Sequence, residues 1–165
     1  MKLKKTILIT GGSGLLAINW ALSVRDKFKV TLLLHRRKIL LEGVKTDTLA
    51  LDSLDDCFYA FDKHKPDIII NTLGLTNIEQ CESNPSLAEE ININLTKNIA
   101  IACNKKNIKL VHISTDHLFN GLQEYASEDD KPEPINTYGK TKLLGEEQVC
   151  NNCKDALIIR TNFFG

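Results

Sequence analysis

The sequence lacks an excess of charge of either sign and lacks any long apolar run. Lysine plus arginine number 21, as do aspartate plus glutamate, so the formal net charge is zero. Because binding to nucleic acid or to an anionic membrane surface requires clustered basic charge, this balance argues against both partners. No apolar run approaches the ~20 residues of a membrane-spanning helix. The apolar stretch Thr6–Thr10 is shorter than the ~7–15 residues of a signal-peptide core, which predicts a cytoplasmic protein.

The cysteines have neither the number nor the spacing of a disulfide framework. They are Cys57, Cys81, Cys103, Cys150 and Cys153, and an odd count without regular spacing predicts reduced thiols. The last two have CxxC spacing, but the sequence has no second CxxC pair and no HxxH pair. Since a zinc site of this kind needs such a second pair, we predict no metal site.

The sequence also lacks internal repeats, linkers and low-complexity tracts, and its 165 residues suffice for one domain with a core. Short apolar, β-branched runs alternate with longer helical segments. The predicted strands are 6–10, 30–34, 48–51, 67–71, 108–114 and 156–160, and the predicted helices are 14–26, 53–64, 85–105 and 136–150. Apolar strands without polar alternation indicate a sheet covered on both faces. The pattern predicts an α/β fold with a doubly wound parallel sheet of the Rossmann type.

Glycines concentrate in the loop between the first predicted strand and helix. The segment from Thr10 to Ala17 reads TGGSGLLA, which is G-x-G-x-x-A from Gly12. Such glycines permit a tight turn and a close backbone approach to a pyrophosphate, and the helix N-terminus attracts the anion. A simple glycine-rich turn is the alternative. The position in the first strand–helix unit favours dinucleotide binding.

A basic cluster follows the second predicted strand. Proteins that bind NAD usually place an acidic residue there for the ribose 2′-hydroxyl, whereas this sequence has His35, Arg36, Arg37 and Lys38. Arginine can bind a 2′-phosphate through two hydrogen bonds. The cluster therefore favours NADP(H), with NAD(H) and a merely solvated basic corner as alternatives.

A tyrosine and a lysine four residues apart mark the last predicted helix. Tyr138 and Lys142 lie on one face of that helix. A free tyrosine has a pKa near ~10, and a nearby ammonium would lower this pKa and make the phenol a usable general acid. On any single helix this spacing is more often a solvated pair. Here it follows Ser114 and Thr115, whose hydroxyls end the fifth predicted strand and could polarise the same carbonyl.

Taken together, these motifs resemble those of the extended short-chain dehydrogenases/reductases. Within that superfamily the sequence is most similar to the sugar-nucleotide branch that includes the dTDP-4-dehydrorhamnose reductases. The similar stretches follow one another along the whole chain and read TGGSGLLA, NTLGLTNIEQCE, ININLTKNIA, HISTDHLFNG, EDDKPEPINTYGKTKLLGE and IIRTNFFG.

The resemblance implies roles for individual residues. The catalytic set would be Thr115, Tyr138 and Lys142. The remaining cofactor-binding positions fall in the glycine loop, the basic cluster, the ends of the third and fourth strands and the following helix: Gly11, Gly14, Leu15, Ala17, Arg36, Arg37, Asp52, Leu73, Gly74, Leu75 and Asn92. Asn92 takes a position that commonly supports the backbone of the active site. The implied activity is NADPH-dependent reduction of a nucleotide-linked 4-keto-6-deoxy sugar for cell-surface polysaccharide precursors.

The sequence departs from the family pattern in three ways. Leu73 and Leu75 replace residues that are usually small, and His117 stands where a tyrosine is usual. The third departure is length, because family members continue into a smaller C-terminal lobe that grips the sugar nucleotide. We therefore expect residues 1–165 to be a Rossmann domain truncated before that lobe, able to bind NADP(H) but inactive in isolation. The sixth strand would lie at the sheet edge, where its apolar residues 157–159 predict self-association into a homo-oligomer.

Two other functions remain open at this stage. A non-catalytic NADP-binding subunit, like the regulatory beta subunit of methionine adenosyltransferase, has the same resemblance, although an intact Thr–Tyr–Lys set favours an enzyme. A sugar-nucleotide epimerase or dehydratase of the same superfamily is the other alternative. Dehydratases usually carry an acidic pair directly after the catalytic hydroxyl, whereas Asp116 and His117 follow Thr115 here.

Overall fold

A computed structural model describes residues 4–122 and 124–162, which form one six-stranded parallel sheet. The strand order is β3-β2-β1-β4-β5-β6, and this confirms the doubly wound topology that the alternating pattern predicts. The strands are β1 Thr6–Thr10, β2 Lys29–Leu34, β3 Lys45–Thr48, β4 Ile68–Asn71, β5 Lys109–Thr115 and β6 Leu157–Thr161. Each neighbouring pair is parallel, as in the pairing of Ile9 with both Leu32 and Ile70.

Helices cover the two faces of the sheet unequally. They are α1 Leu15–Val24, α2 Leu54–His64, α3 Ile78–Ser83, α4 Pro85–Glu89, α5 Thr96–Lys106 and α6 Thr137–Asn152. Helices α2, α5 and α6 pack on one face around Leu8, Phe61 and Ile99. On the other face, α1 supplies Ala17 and Ala21 to a second apolar cluster.

A π-helical turn, Glu90–Leu95, joins α4 to α5. The sequence pattern predicts a single helix over 85–105, and the structure has a continuous helical stretch whose middle is widened. Helix α6 crosses this turn at very short range, because a Cβ atom at Gly145 would collide with the carbonyl oxygen of Asn92. A Cβ atom at Gly139 would likewise collide with the carbonyl oxygen of His117. These glycines let α6 approach its neighbours by backbone contact.

The predicted bounds of the third strand are wrong. The sequence predicts residues 48–51, but β3 is Lys45–Thr48 and pairs with β2 alone. An edge strand needs only one apolar face, so its short polar sequence is tolerated there. The apolar residues that suggested a strand serve packing, since Leu51 is buried in the core cluster beneath α2.

Helix α3 is absent from the sequence predictions. Its start has a recognisable signal, because the Asn77 side chain accepts a hydrogen bond from the backbone N–H of Gln80 at 2.7 Å. An asparagine in this position is a typical helix N-cap. The helix has only six residues, too few for its apolar periodicity to stand out.

The sixth strand lies at the sheet edge as predicted, but less of it is open than its sequence suggests. Leu157 is 55% exposed. Ile158 and Ile159 are half-buried and pack against the apolar clusters on the two faces of the sheet. Self-association through this edge stays a prediction, to be measured by light scattering, and it would depend chiefly on Leu157.

Candidate active site

A cleft of about 1110 Å³ opens at the carboxyl ends of the strands. Loops that follow β1, β2, β4 and β5 line it, together with α6 and the π-helical turn. In open parallel sheets ligands bind at this edge, where the strand order reverses between β1 and β4. The glycine loop, the basic cluster and the Thr–Tyr–Lys set all reach this one cleft.

The glycine loop begins with a residue in the left-handed region. Gly11 has φ +65° and lines the cleft. A Cβ atom at Gly12 would lie 2.8 Å from the Leu32 Cβ atom, so the loop can rest on β2 only without a side chain. Gly14 is the N-cap of α1 and offers no side-chain acceptor to the helix. The first N–H groups of α1 are therefore available to an anion in the cleft.

The two other predicted residues of this loop differ in exposure. Leu15 is 68% exposed and lines the cleft. Ala17 is fully buried in the cluster between α1 and the sheet and does not line the cleft. The cofactor-binding role of Ala17 stays a prediction, although this residue presents no surface to the cleft. Its small side chain acts indirectly, because it lets α1 pack closely on the sheet.

The basic cluster also divides. His35 and Arg36 are exposed and line the cleft, as does Asp52 after the third strand. Arg37 is exposed but does not line it. In this structure Arg36 is thus the arginine placed to meet a ligand.

The segment after β4 is held by a buried asparagine. Leu73 and Gly74 line the cleft, whereas Leu75 packs against the apolar cluster that includes Tyr138. The Asn92 Oδ1 atom accepts a hydrogen bond from the Leu75 N–H at 2.8 Å, and its Nδ2 atom donates to the Leu75 carbonyl at 3.1 Å and to the Thr141 hydroxyl at 3.0 Å. Asn92 therefore connects the segment after β4 to α6. Leu75 and Asn92 have no surface in the cleft with which to contact a cofactor.

Tyr138 and Thr115 face each other in the cleft. Both are at most 8% exposed, and the His117 ring stacks edge-on against the Tyr138 ring with centroids 5.6 Å apart. Burial raises the pKa of Tyr138 above its ordinary value, while hydrogen bonding with the Thr115 hydroxyl lowers it. The Thr115 oxygen also accepts a hydrogen bond from the His117 N–H at 3.2 Å. His117 thus packs against the phenol and contacts Thr115 through its backbone.

Lys142 is buried on the floor of the cleft. Its Nζ atom donates a hydrogen bond to the Ile113 carbonyl at 2.7 Å. Burial lowers the pKa of Lys142 to about 8, although the nearby Glu146 carboxylate raises it. We expected the ammonium to lower the pKa of Tyr138, but the causes that act on Tyr138 do not include it. In this structure the ammonium is engaged by a backbone carbonyl, so burial decides the net direction.

Polar groups beneath the cleft escape prediction from sequence motifs. Asn71 accepts a hydrogen bond from the Thr10 hydroxyl at 2.6 Å and pairs with the His112 Nδ1 atom at 3.1 Å. Burial and the Lys142 charge hold the pKa of His112 well below its ordinary value. These residues end or lie within predicted apolar strands, and a polar residue in such a strand is the signal that could have found them.

A partly buried ion pair joins α6 to β6. The Arg160 guanidinium donates to both carboxylate oxygens of Glu146, with the shortest distance 2.8 Å. Glu146 lies one helical turn after Lys142, so a motif search that continued along the same helix face would have included it.

The part of the chain that the structure describes has no disulfide, no metal-ligand cluster and no helix suited to span a membrane. Each of the five cysteines is free, and only Cys150 is exposed. Within residues 4–122 and 124–162, no group of three or more metal-ligating side chains is placed to hold an ion. Over the same ranges, the structure has no helix long and apolar enough to cross a membrane.

The parallel sheet, the glycine loop and the Tyr138–Lys142 pair define an extended short-chain dehydrogenase/reductase. The chain belongs to the family described as the RmlD substrate binding domain, whose sequence profile matches residues 5–164. The resemblance drawn from the sequence motifs is thereby confirmed.

Named relatives and a solved structure agree with this membership. The chain is 40% identical over 102 residues to the dTDP-4-dehydrorhamnose reductase of Salmonella typhimurium, covering 61% of this chain and 34% of that protein. It is 31% identical over 157 residues to the dTDP-4-keto-6-deoxy-D-glucose reductase of Streptomyces niveus, covering 93% and 51%. The crystal structure of the Bacillus anthracis dTDP-4-dehydrorhamnose reductase in complex with NADP superposes with a TM-score of 0.78 at 26% identity, covering 97% and 54%. The chain thus spans about half the length of such relatives, or less.

Proposed function

We propose that the protein uses NADPH to reduce a nucleotide-linked 4-keto-6-deoxy sugar. The observation that carries this proposal is the meeting of Thr115, Tyr138 and Lys142 with the glycine loop in a single cleft. A binding domain without chemistry has no need of a buried phenol beside a hydroxyl and an amine. The names of the relatives supply the substrate class, since both curated relatives described above are reductases of dTDP-linked sugars.

The cleft fits a dinucleotide. A pyrophosphate would lie against Gly11, Gly14 and Leu15, where the open N-terminus of α1 provides N–H donors and partial positive charge. Arg36 would bind the adenosine 2′-phosphate, and Asp52 would lie beside the adenine. Ser114 adds a further observation, because its buried hydroxyl lines the cleft and has no hydrogen-bond partner among the described residues. Such a group is satisfied by a ligand or a water molecule.

At the other end of the cleft, Leu73 and Gly74 would contact the nicotinamide, which supplies the hydride when the cofactor is bound. Tyr138 would donate its proton to the keto oxygen, and Thr115 would donate a hydrogen bond to the same oxygen. Lys142, with a pKa of about 8, keeps most of its charge at neutral pH. That charge would stabilise the phenolate left on Tyr138 and would hold the ribose hydroxyls. A general acid placed in this way contributes typically ~10²–10⁴-fold to the rate.

The proposal includes a cellular setting. A cytoplasmic location suits five cysteines that are all free, because thiols stay reduced there. A reduced nucleotide-linked deoxy sugar is a donor for cell-surface polysaccharides, and we propose that role for the product.

Two measurements test the function. Calorimetry of the 165-residue chain should detect NADPH binding. The full-length protein should oxidise NADPH only when a dTDP- or UDP-linked 4-keto-6-deoxy sugar is present, and NADPH deuterated at the transferred position should leave its deuterium on the sugar carbon. Failure to bind NADPH would contradict the proposal at its first step. NADPH binding with no turnover of any such sugar would favour the non-catalytic binding subunit, whose phenol could stay protonated, as the raised pKa of Tyr138 allows.

A further inference from the structure

Helix α3 and the first residue of α6 meet at a two-point contact between residues to which the site described above assigns no role. The Oε1 atom of Glu82 accepts a hydrogen bond from the backbone N–H of Thr137 at 2.6 Å. The Oε2 atom accepts one from the Thr137 hydroxyl at 2.8 Å. Thr137 begins α6, and Tyr138 is the next residue. A carboxylate 55 positions earlier in the chain therefore binds the residue that precedes the phenol.

The chemistry of a helix N-terminus favours this contact. The first N–H groups of a helix have no acceptor within the helix and carry partial positive charge. The Asn136 side chain accepts from the Gly139 N–H at 2.7 Å, so Thr137 needs a different acceptor, which Glu82 provides. Hydrogen bonds from Thr137, with the charge of Lys140 in addition, lower the pKa of Glu82. The carboxylate therefore stays ionised at neutral pH, where its hydrogen bonds are strongest.

Helix α3 also touches the phenol and the cleft. Cys81, the neighbour of Glu82, is fully buried in an apolar cluster with Tyr138 and Ala88. Its thiol donates a hydrogen bond to the Leu75 carbonyl at 3.5 Å. Ile78, at the start of the same helix, lines the cleft. One short helix thus shares an apolar cluster with Tyr138 through Cys81, and it binds the start of α6 through Glu82.

We propose that Glu82 is a positioning residue, which fixes the place of Tyr138 in the cleft by holding the first residue of α6. This inference rests on the proposed function, because the exact place of the phenol matters only if Tyr138 transfers a proton. Proton transfer requires a heavy-atom distance of about 2.6–3.2 Å. A displacement of about 1 Å at the start of α6 would therefore slow catalysis, by up to roughly 100-fold.

The first test reads Tyr138 directly, without turnover. Tyrosine labelled with ¹³C at Cζ allows the phenol to be titrated by NMR in the 165-residue chain. In Glu82→Gln the start of α6 is held less firmly, and we expect the Tyr138 phenol to become more exposed to water. Its pKa should therefore fall from the raised value toward the ordinary one. The Thr137 amide should exchange with solvent roughly tenfold faster, since one charge-assisted hydrogen bond is weakened. Glu147→Gln, which removes the charge of an exposed glutamate on α6, should change neither quantity.

Variants of the partner residue separate the two hydrogen bonds. Thr137→Ser keeps both donors and should behave like the unmodified chain. Thr137→Val keeps the N–H and the side-chain shape but lacks the hydroxyl. Its changes in Tyr138 pKa and in amide exchange should therefore be smaller than those of Glu82→Gln and in the same direction. Thr137→Val also serves if Glu82→Gln does not fold, because it leaves the charge in place. Unchanged Tyr138 titration and amide exchange in a folded Glu82→Gln or Thr137→Val chain would overturn the proposal.

Turnover of the full-length protein supplies the second test. Glu82→Gln should lower kcat by roughly 10- to 100-fold, with KM and NADPH affinity within about twofold of the unmodified protein. Thr137→Ser should retain kcat. An equal kcat in Glu82→Gln would overturn the positioning role. The two proposals can fail separately. If the Tyr138 pKa and the Thr137 amide exchange change as expected but no form of the protein reduces a sugar, Glu82 still positions Tyr138 and the proposed function fails.

Discussion

The two ends of the cleft are built differently. At one end Tyr138, Thr115 and Lys142 are each at most 8% exposed and are held by α6, β5 and the segment after β4. At the other end His35 and Arg36 are exposed side chains on the loop after β2. The first end is a packed arrangement of buried side chains, whereas the second consists of exposed side chains on a surface loop.

This difference indicates which property each end can supply. Reaction requires reacting atoms held within a few tenths of an ångström, and buried side chains with fixed partners provide that order before a ligand arrives. Recognition of a 2′-phosphate requires charge and reach, and exposed arginines provide both at a cost in ordering entropy. The expected effects of substitution should therefore be large and insensitive to salt at the Tyr138 end, and smaller and sensitive to salt at the Arg36 end.

The largest effect should follow from removing the phenolic hydroxyl. Tyr138→Phe in the full-length protein should lower kcat by ~10²–10⁴-fold, because the proton donor is lost. Calorimetry should find NADPH affinity nearly unchanged, since the ring remains. Tyr125→Phe is a suitable control, because Tyr125 is 96% exposed on a loop. Normal turnover by Tyr138→Phe would exclude Tyr138 from the mechanism.

The next effect concerns stability at the same end. Lys142 has a pKa of about 8 in the folded chain, below the ~10.4 of an unfolded lysine. The unfolded state therefore binds more protons between these values, so the free energy of unfolding should rise as pH increases from about 8 to 10. Below pH 8 the buried charge destabilises the fold by an amount on the order of 3 kcal/mol.

Lys142→Met removes this charge and keeps an apolar stem. Thermal unfolding at pH 7 should show a variant that is as stable as the unmodified chain or more stable, while turnover and NADPH affinity are both reduced. The rise in stability between pH 8 and pH 10 should be weaker in the variant. A clear loss of stability in Lys142→Met at pH 7 would mean that its hydrogen bond to Ile113 outweighs the desolvation of the ammonium.

A smaller effect is expected at the exposed end. Arg36→Ala should weaken NADPH binding by about 1.5–3 kcal/mol for each charged hydrogen bond lost, with little change for NADH. Arg37→Ala is the matched comparison, because it removes the same charge from a residue that does not line the cleft. Calorimetry with both cofactors measures the difference. Equal losses for the two arginine variants would show that net charge, rather than a specific contact, sets the preference.

The smallest effect is that of salt. Raising the ionic strength from about 0.01 M to 1 M shortens the Debye length from about 30 Å to 3 Å. The preference for NADPH over NADH should shrink by a few-fold, while kcat at saturating cofactor should hold steady because the Tyr138 end is buried. A strong dependence of kcat on salt would erase the contrast between the two ends.

Sequence patterns predict the overall fold and the motif residues of the site better than the residues that support the site from beneath. The glycine loop, the strand order and the pairing of Tyr138 with Lys142 depend on local spacing, which a sequence displays directly. The Glu82–Thr137 contact and the Asn71–His112 pair join residues more than 40 positions apart, and no local pattern encodes such contacts. The predicted bounds of the third strand are wrong for a related reason. Leu51 is apolar because it packs in the core, and a sequence does not distinguish this from strand pairing.

The close approach of α6 to its neighbours has a consequence for how the chain acquires any activity. Gly139 and Gly145 each cost a helix about 1 kcal/mol relative to alanine, and α6 has no acidic residue in its first turn and no basic residue in its last. As an isolated peptide this segment would be largely unwound, because a helix of this length owes most of its stability to tertiary packing. Tyr138 and Lys142 can therefore lie on one face only after the rest of the domain has assembled. A newly synthesised or damaged chain that has not completed its fold therefore lacks the arrangement of Tyr138 and Lys142 on which the proposed chemistry depends.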